Sequence, residues 1–178
     1  MRTKNNVIIS LLLLSALTIA TILTSCGGNN MRPEKAIKEY LEIIEKETFD
    51  ELSLTIYYID PMLLTRAPLS VDKLINFNNV NKIVIDGSEL ENHIDLLRQI
   101  SADKLKPVRN PSRINARIYY VFKTAEEDKI LDIAMWGDNN STFVNGLEVK
   151  ENDVYLNIIM PFLTEEAKND LEPYLRNQ

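Results

Sequence analysis

"RINARIYYVFK", residues 113–123, decides the fold. Ile114, Ala116, Ile118, Tyr120 and Phe122 alternate with Arg113, Asn115, Arg117, Tyr119 and Lys123, the period of a strand with one covered face. "KILDIAMW", residues 129–136, follows with Leu131, Ile133 and Met135 as the matching inward set. For both sets to share a face, Tyr120 must lie opposite Ile133 and Phe122 opposite Leu131. That register leaves residues 125–128 as a four-residue turn. Downstream, "TFVNGLEVK" carries Asn145 and Gly146, which both tolerate the positive φ of a tight hairpin turn. Val144 then faces Leu147, Phe143 faces Glu148 and Thr142 faces Val149. Three or four antiparallel strands therefore run consecutively over residues 113–149.

Working upstream, "LSLTIYYI" (residues 52–59) is rich in β-branched and aromatic groups on both faces and stops at Asp60 and Pro61, which reads as a strand internal to the sheet. "KIVID" (82–86) reads as a short strand closed by Gly87. Pro33 opens a helix over 33–47 whose inward face is Ile37, Tyr40, Leu41 and Ile44. A shorter helix is expected from Ser70, with Val71, Leu74 and Ile75 inward. Ser88 and Glu91 have the spacing of a capping box and predict a helix with Leu90, Ile94, Leu97 and Ile100 as its buried stripe. The chain closes with Val154, Tyr155, Ile158, Ile159 and Phe162 on one helical face, which Pro161 is expected to end or kink. Thr164 then restarts a helix whose regularity Pro173 is expected to break. The expected fold is a single α+β domain, a mostly antiparallel sheet of five or six strands with helices packed on one face.

Ahead of that domain, residues 7–23 carry no charge, and Arg2 and Lys4 precede them. This is an export signal in outline. It ends at Leu23, Thr24, Ser25 and Cys26, a run that resembles the lipobox of bacterial lipoproteins. The resemblance covers residues 1–26 alone. It implies a signal peptide over 1–25, cleavage before Cys26, and a diacylglyceryl group with palmitate-type chains on its thiol. Two acyl chains hold a protein on a membrane where one holds it marginally. The alternative is an uncleaved signal anchor with an incidental cysteine, and both place the domain in an extracytoplasmic position. Residues 26–32 are then the lipidated cysteine and a flexible linker. Residues 27–32 reach about 20 Å when extended, and residues 33–178 form the single domain. Cys26 is the one cysteine of the chain, so stability must come from the core and not from disulfides.

Charge narrows the partners. Loss of Arg2 and Lys4 with the leader takes the formal net charge from −6 to −8, which disfavours nucleic acid and anionic lipid surfaces. Arg98, Lys104, Lys106, Arg109, Arg113, Arg117 and Lys123 nevertheless share one stretch in which Asp103 is the lone acid. That stretch is either a solvated basic loop or an anion-binding patch. The strand register sets Arg117 opposite Trp136, so Arg113, Arg117, Tyr119 and Trp136 are the candidate ligand-binding surface, a cationic and aromatic patch. Ordinary cross-strand packing under another element accounts for the same residues.

Catalytic signatures are missing from the pattern. His93 is the one histidine, with no G-x-S-x-G beside a serine, no thiol beyond Cys26 and no phosphate-cradling glycine loop. A paired-carboxylate hydrolase leaves no trace in sequence. No metal or cofactor is expected, and the chain is read as no enzyme. The functional expectation is a membrane-anchored binding or protein-interaction module at the cell envelope, with an envelope protein as its partner. The alternative is a small-ligand receptor for an anionic or sugar-like envelope fragment.

Overall fold

A computed structural model describes residues 31–136, 141–150 and 152–175, with residues 136 and 172–175 as backbone alone. Its strands are β1 (Leu52–Tyr58), β2 (Asn81–Ile85), β3 (Ile118–Thr124), β4 (Lys129–Trp136), β5 (Ser141–Val144) and β6 (Leu147–Val149). They form one antiparallel sheet in the order β2-β1-β3-β4-β5-β6. Tyr120 faces Ile133 and Phe122 faces Leu131, as the alternation requires, and β1 is internal. After Phe122 the register slips, so that Lys123 pairs with Lys129. Like charges directly opposed destabilise a sheet. Each of these lysines instead has its own acid, Glu127 at 2.6 Å from Lys123 and Asp132 at 3.2 Å from Lys129.

The helices are α1 (Pro33–Glu45), α2 (Val71–Ile75), α3 (Gly87–Glu91), α4 (Ile94–Leu97), α5 (Val154–Asn157) and α6 (Glu165–Leu175). Most of them cover one face of the sheet, where Ile37, Tyr40 and Ile44 of α1, Leu90, Leu97, Tyr155 and Leu171 meet Leu54, Ile56, Tyr120, Phe122 and Ile133. Two tyrosine hydroxyls fasten this layer. Tyr40 donates to Leu97 O at 3.1 Å and Tyr120 to Tyr155 O at 2.7 Å, while the Tyr40 ring lies 4.7 Å from Phe122. These bonds let large aromatic groups be buried without stranding their polar ends.

Three sequence expectations are corrected in detail. Strand β3 begins at Ile118, and Ile114 and Ala116 pack on the opposite side of the sheet from Ile118, Tyr120 and Phe122. Residues 113–117 precede the strand as irregular chain, with Ala116 N donating to Leu69 O at 2.8 Å and Arg117 N to Met135 O at 3.0 Å. The Ser88–Glu91 box does not cap its helix. Asp86 does, accepting from Glu89 N at 3.1 Å and Ser88 Oγ at 2.6 Å, and the expected long helix divides into α3 and α4 at His93. Asp86 and Glu89 have the same three-residue spacing, two residues earlier. Helix α6 runs through Pro173 to Leu175.

The other face carries a second apolar layer, built from Ile59, Leu69, Leu74, Ala116, Tyr119, Val121, Ala134 and Phe143. Its cover is largely irregular chain from residues 59–80 and 109–116 plus α2, which Ser70 caps by accepting from Lys73 N. At the sheet margins, residues 106–108 lie along β6. Val108 N donates to Glu148 O at 3.1 Å, Lys150 N to Lys106 O at 2.7 Å, and Pro107 bridges to Val149. Strand β2 is the opposite edge, with Lys82 and Val84 exposed.

Gly87 occupies the first position of α3 against the turn Phe49–Glu51. A Cβ there falls 1.7 Å from Phe49 O, a backbone atom that cannot swing aside. Gly87→Ala is expected to destabilise the domain by about 3 kcal/mol, the upper end for overpacking. For a domain of this size that lowers Tm by roughly 6–12 °C, readable by thermal circular dichroism.

Candidate functional site

The residues singled out for ligand binding converge in part on a loop, residues 61–68, that leaves the end of β1. Asp60 starts it with an Asx turn, its Oδ1 accepting from Met62 N at 2.8 Å and its carbonyl from Leu63 N at 3.1 Å. From beneath, the loop is held by Arg117, which is 4% exposed. Arg117 Nη1 donates to Asn115 Oδ1 at 2.8 Å and to Ala116 O at 3.3 Å. Its Nη2 donates to Leu63 O at 3.4 Å and Thr65 Oγ1 at 3.2 Å. Asn115 Oδ1 also accepts from Leu69 N at 2.9 Å, and Thr65 Oγ1 donates to Ala67 O. One guanidinium and one amide thus supply partners to Leu63 O, Thr65 Oγ1 and Leu69 N of a segment outside the sheet.

Loop and clamp enclose an open cleft of about 370 Å³ lined by residues 61–68 with Asn115 and Arg117 on its floor. What the loop displays outward is apolar. Leu64 is 98% exposed and Met62 69%, while Leu63 packs inward on the second layer and Arg66 is exposed beside them. Among the described residues, Val84 is the remaining large exposed hydrophobic side chain.

Tyr119 lies in the sheet beneath this layer. Its hydroxyl donates to Asp132 Oδ2 at 3.1 Å, and its ring stacks on Tyr57 with centroids 6.0 Å apart. Asp132 is 9% exposed and also takes Lys129 Nζ at 3.2 Å. Its Oδ1 has no hydrogen-bond partner among the described residues. Burial first, then the neighbouring Asp132 carboxylate, pushes the Tyr119 hydroxyl far above the usual phenol range. Asn145, at φ 45° in the hairpin turn, accepts from Asp132 N through Oδ1 at 2.9 Å and donates through Nδ2 to Met31 O at 3.3 Å.

The described residues of the expected patch lie in different surroundings. Arg113 is exposed, Arg117 and Tyr119 are buried, and each of the latter two has protein partners. The register between β3 and β4 ends at Ile118 with Met135, where Arg117 N donates to Met135 O at 3.0 Å; the Trp136 side chain and Cys26 lie outside the described residues. The basic stretch is likewise divided, with Arg98 beside Glu47 and Asp95, and Lys104 beside Asp103. His93 is half-buried, its ring edge-on to Phe162 at 5.0 Å. Among the described residues no group of three or more His, Cys, Asp or Glu is placed to hold a metal ion, and no helix is long and apolar enough to cross a membrane. The exposed loop 61–68 escaped the sequence reading. Its signal was a Met-Leu-Leu run between two prolines, which hydropathy alone assigns to a core.

Arg117→Met removes four donations to the loop and its base. It is expected to cost roughly 2–3 kcal/mol and to accelerate tryptic cleavage after Arg66 at least 10-fold, read by limited proteolysis and mass spectrometry. A second expectation concerns alkali. Burial raises the hydroxyl of Tyr40 well above its ordinary value, and burial followed by Asp103 pushes Tyr155 up to about 12. With Tyr119 these groups keep their protons in the folded state while the unfolded chain loses them near pH 10. Stability is thus fully present below about pH 10 and falls as pH rises, each ionised unfolded tyrosine adding a slope of about 1.4 kcal/mol per pH unit. Urea midpoints between pH 8 and 11.5 measure the fall, and Tyr119→Phe is expected to remove one tyrosine's share.

No protein-family model matches the chain, and no curated protein and no solved structure is significantly similar to it.

Proposed function

We propose that this protein is a membrane-tethered, non-enzymatic interaction module of the bacterial cell envelope, held at the extracytoplasmic surface by a diacylglyceryl group on Cys26. The observation that carries the interaction role is the loop at 61–68, whose base is locked by buried Arg117 while Leu64 and Met62 stand in solvent. Ordering a loop opposes about 1–2 kcal/mol of backbone entropy per residue. The loop returns little of that as core packing, since buried Pro61 and half-buried Leu63 are its main inward contributions. An apolar display held rigid before contact loses less entropy on association, which is the physical advantage of preorganisation. The tether rests on the leader, the small residues before Cys26 and the short polar linker after it.

In the native host, a palmitate analogue fed to the cells is expected to label the wild-type protein and to leave Cys26→Ser unlabelled and released from the membrane fraction. Chemical crosslinking of intact cells is expected to give a discrete heavier species containing this chain. A wild-type protein without the label sinks the tether. Recovery of the single chain alone across crosslinkers of several lengths sinks the interaction role.

A further inference from the structure

The outward backbone groups of the two edge strands have different fates. On β6 they are taken, since Glu148 O accepts from Val108 N and Lys150 N donates to Lys106 O. On β2 the same accounting gives the opposite result. Ile59 N donates to Arg117 O, so the odd-numbered residues of β1 bond to β3, and its even-numbered residues Leu54, Ile56 and Tyr58 bond to Ile85, Ile83 and Asn81 of β2. Lys82 and Val84 therefore direct N–H and C=O away from the sheet, and among the described residues nothing bonds to these groups. A row of this kind takes another β-strand as its partner.

The side chains choose the strand. Lys82, Val84 and Asp86 alternate onto one face, with Asp86 still extended at φ −85° and ψ 169°. All three are exposed, Val84 at 61%. Lys82 Nζ lies 5.7 Å from the Tyr57 ring centroid. Both hydrogen bonds to the Asp86 carboxylate, from Ser88 Oγ and Glu89 N, fall on Oδ1 and leave Oδ2 open. A cation, a valine and an anion at two-residue steps form a self-complementary order. Residues 81–86 carry one cation and one anion, so this edge is locally neutral on a chain of formal net charge −6 and opposes a like surface little.

From these observations we infer that a second copy of this chain adds its β2 antiparallel to β2 about a two-fold axis through Val84, with Lys82 of each copy against Asp86 of the other. Parity and charge exclude the neighbouring registers. An axis between two residues opposes outward backbone groups to inward ones. An axis at Lys82 sets two lysines together, and one at Ile83 puts each lysine opposite a valine and leaves the charges unpaired. With the axis at Val84 the two valines exchange N–H···O bonds and cover each other, and Asp86 N faces Lys82 O on either side. Pairing over five residues buries less than the roughly 800 Å² per partner of a standard interface, so the dimer is concentration-dependent. The inference uses neither loop 61–68 nor the tether.

The test uses the full-length protein. In the native host under a mild oxidant, Val84→Cys is expected to give a disulfide-linked dimer, because directly opposed hydrogen-bonded residues have Cα atoms about 5.5 Å apart, within the span of a disulfide. Lys82→Cys, offset from its copy by about 13 Å along the strand, is expected to give none. The wild-type chain, whose one cysteine is Cys26, controls for linkage there. Sedimentation of the purified protein in detergent is expected to show a monomer–dimer equilibrium. Val84→Pro is expected to abolish it with little change in Tm, since that N–H is unused within the sheet, and Lys82→Glu to weaken it about 10-fold. A monomer at the highest soluble concentration, a Val84→Cys adduct to a different protein, or linkage through Lys82→Cys and not Val84→Cys overturns the proposal. A dimer that Val84→Pro leaves unchanged forms elsewhere on the molecule and overturns it too.

Discussion

Burial of β3 on both faces is the constraint from which the rest of the architecture follows. Ile118, Tyr120 and Phe122 need one apolar cover, and Tyr119 and Val121 need another. Helices supply the first, satisfying their backbone groups internally. The second is supplied mainly by irregular chain, whose backbone groups find partners elsewhere. Hence the polar groups on that side: buried Arg117 and half-buried Asn115 under loop 61–68, and buried Glu148, whose carboxylate accepts from Ser112 N and from Ser112 Oγ at 3.0 Å. Buried polar groups here are the means by which a loop becomes a layer.

The regular part was legible because it obeys two simple periods. The alternation in β3 and β4 forced one register, and Asn145–Gly146 forced the next, so residue pairs such as Tyr120 with Ile133 and Phe143 with Glu148 follow from sequence alone. The helical faces of Ile37, Tyr40, Ile44 and of Leu90, Leu97 were equally plain. Legibility ended where tertiary contact overrides local pattern. The alternation over 113–117 is genuine as a string, but β3 begins only at Ile118, because Ala116 bonds to Leu69 of another segment instead of to a neighbouring strand. The first residue of α3 has to be glycine because Phe49 O comes too close for any Cβ, a demand that no local motif records.

Of the candidate surface, the sequence conveyed the importance of Arg117 and not its direction. Facing a neighbouring strand, an arginine is written identically whether it reaches solvent or folds beneath a loop. The partners that draw it inward, Leu63 and Thr65, lie more than fifty residues upstream. Tyr119 is similar, since its partner Asp132 becomes adjacent only when β3 and β4 pair. Loop 61–68 carries three apolar side chains in a row, and two of them, Met62 and Leu64, stand outside.

The sheet's two margins differ, and the difference limits how copies can aggregate. On the β6 side, residues 106–108 occupy the margin and Pro107 offers no N–H to a newcomer. On the β2 side the described residues leave the strand open, with Lys82 held over the Tyr57 ring at 5.7 Å. Should two molecules join margin to margin, they meet β2 to β2 about a two-fold axis, and the joint sheet then ends in a closed margin at either side. Polymerisation by strand addition therefore halts at the pair, a built-in terminator for a chain whose remaining margin is unguarded by proline.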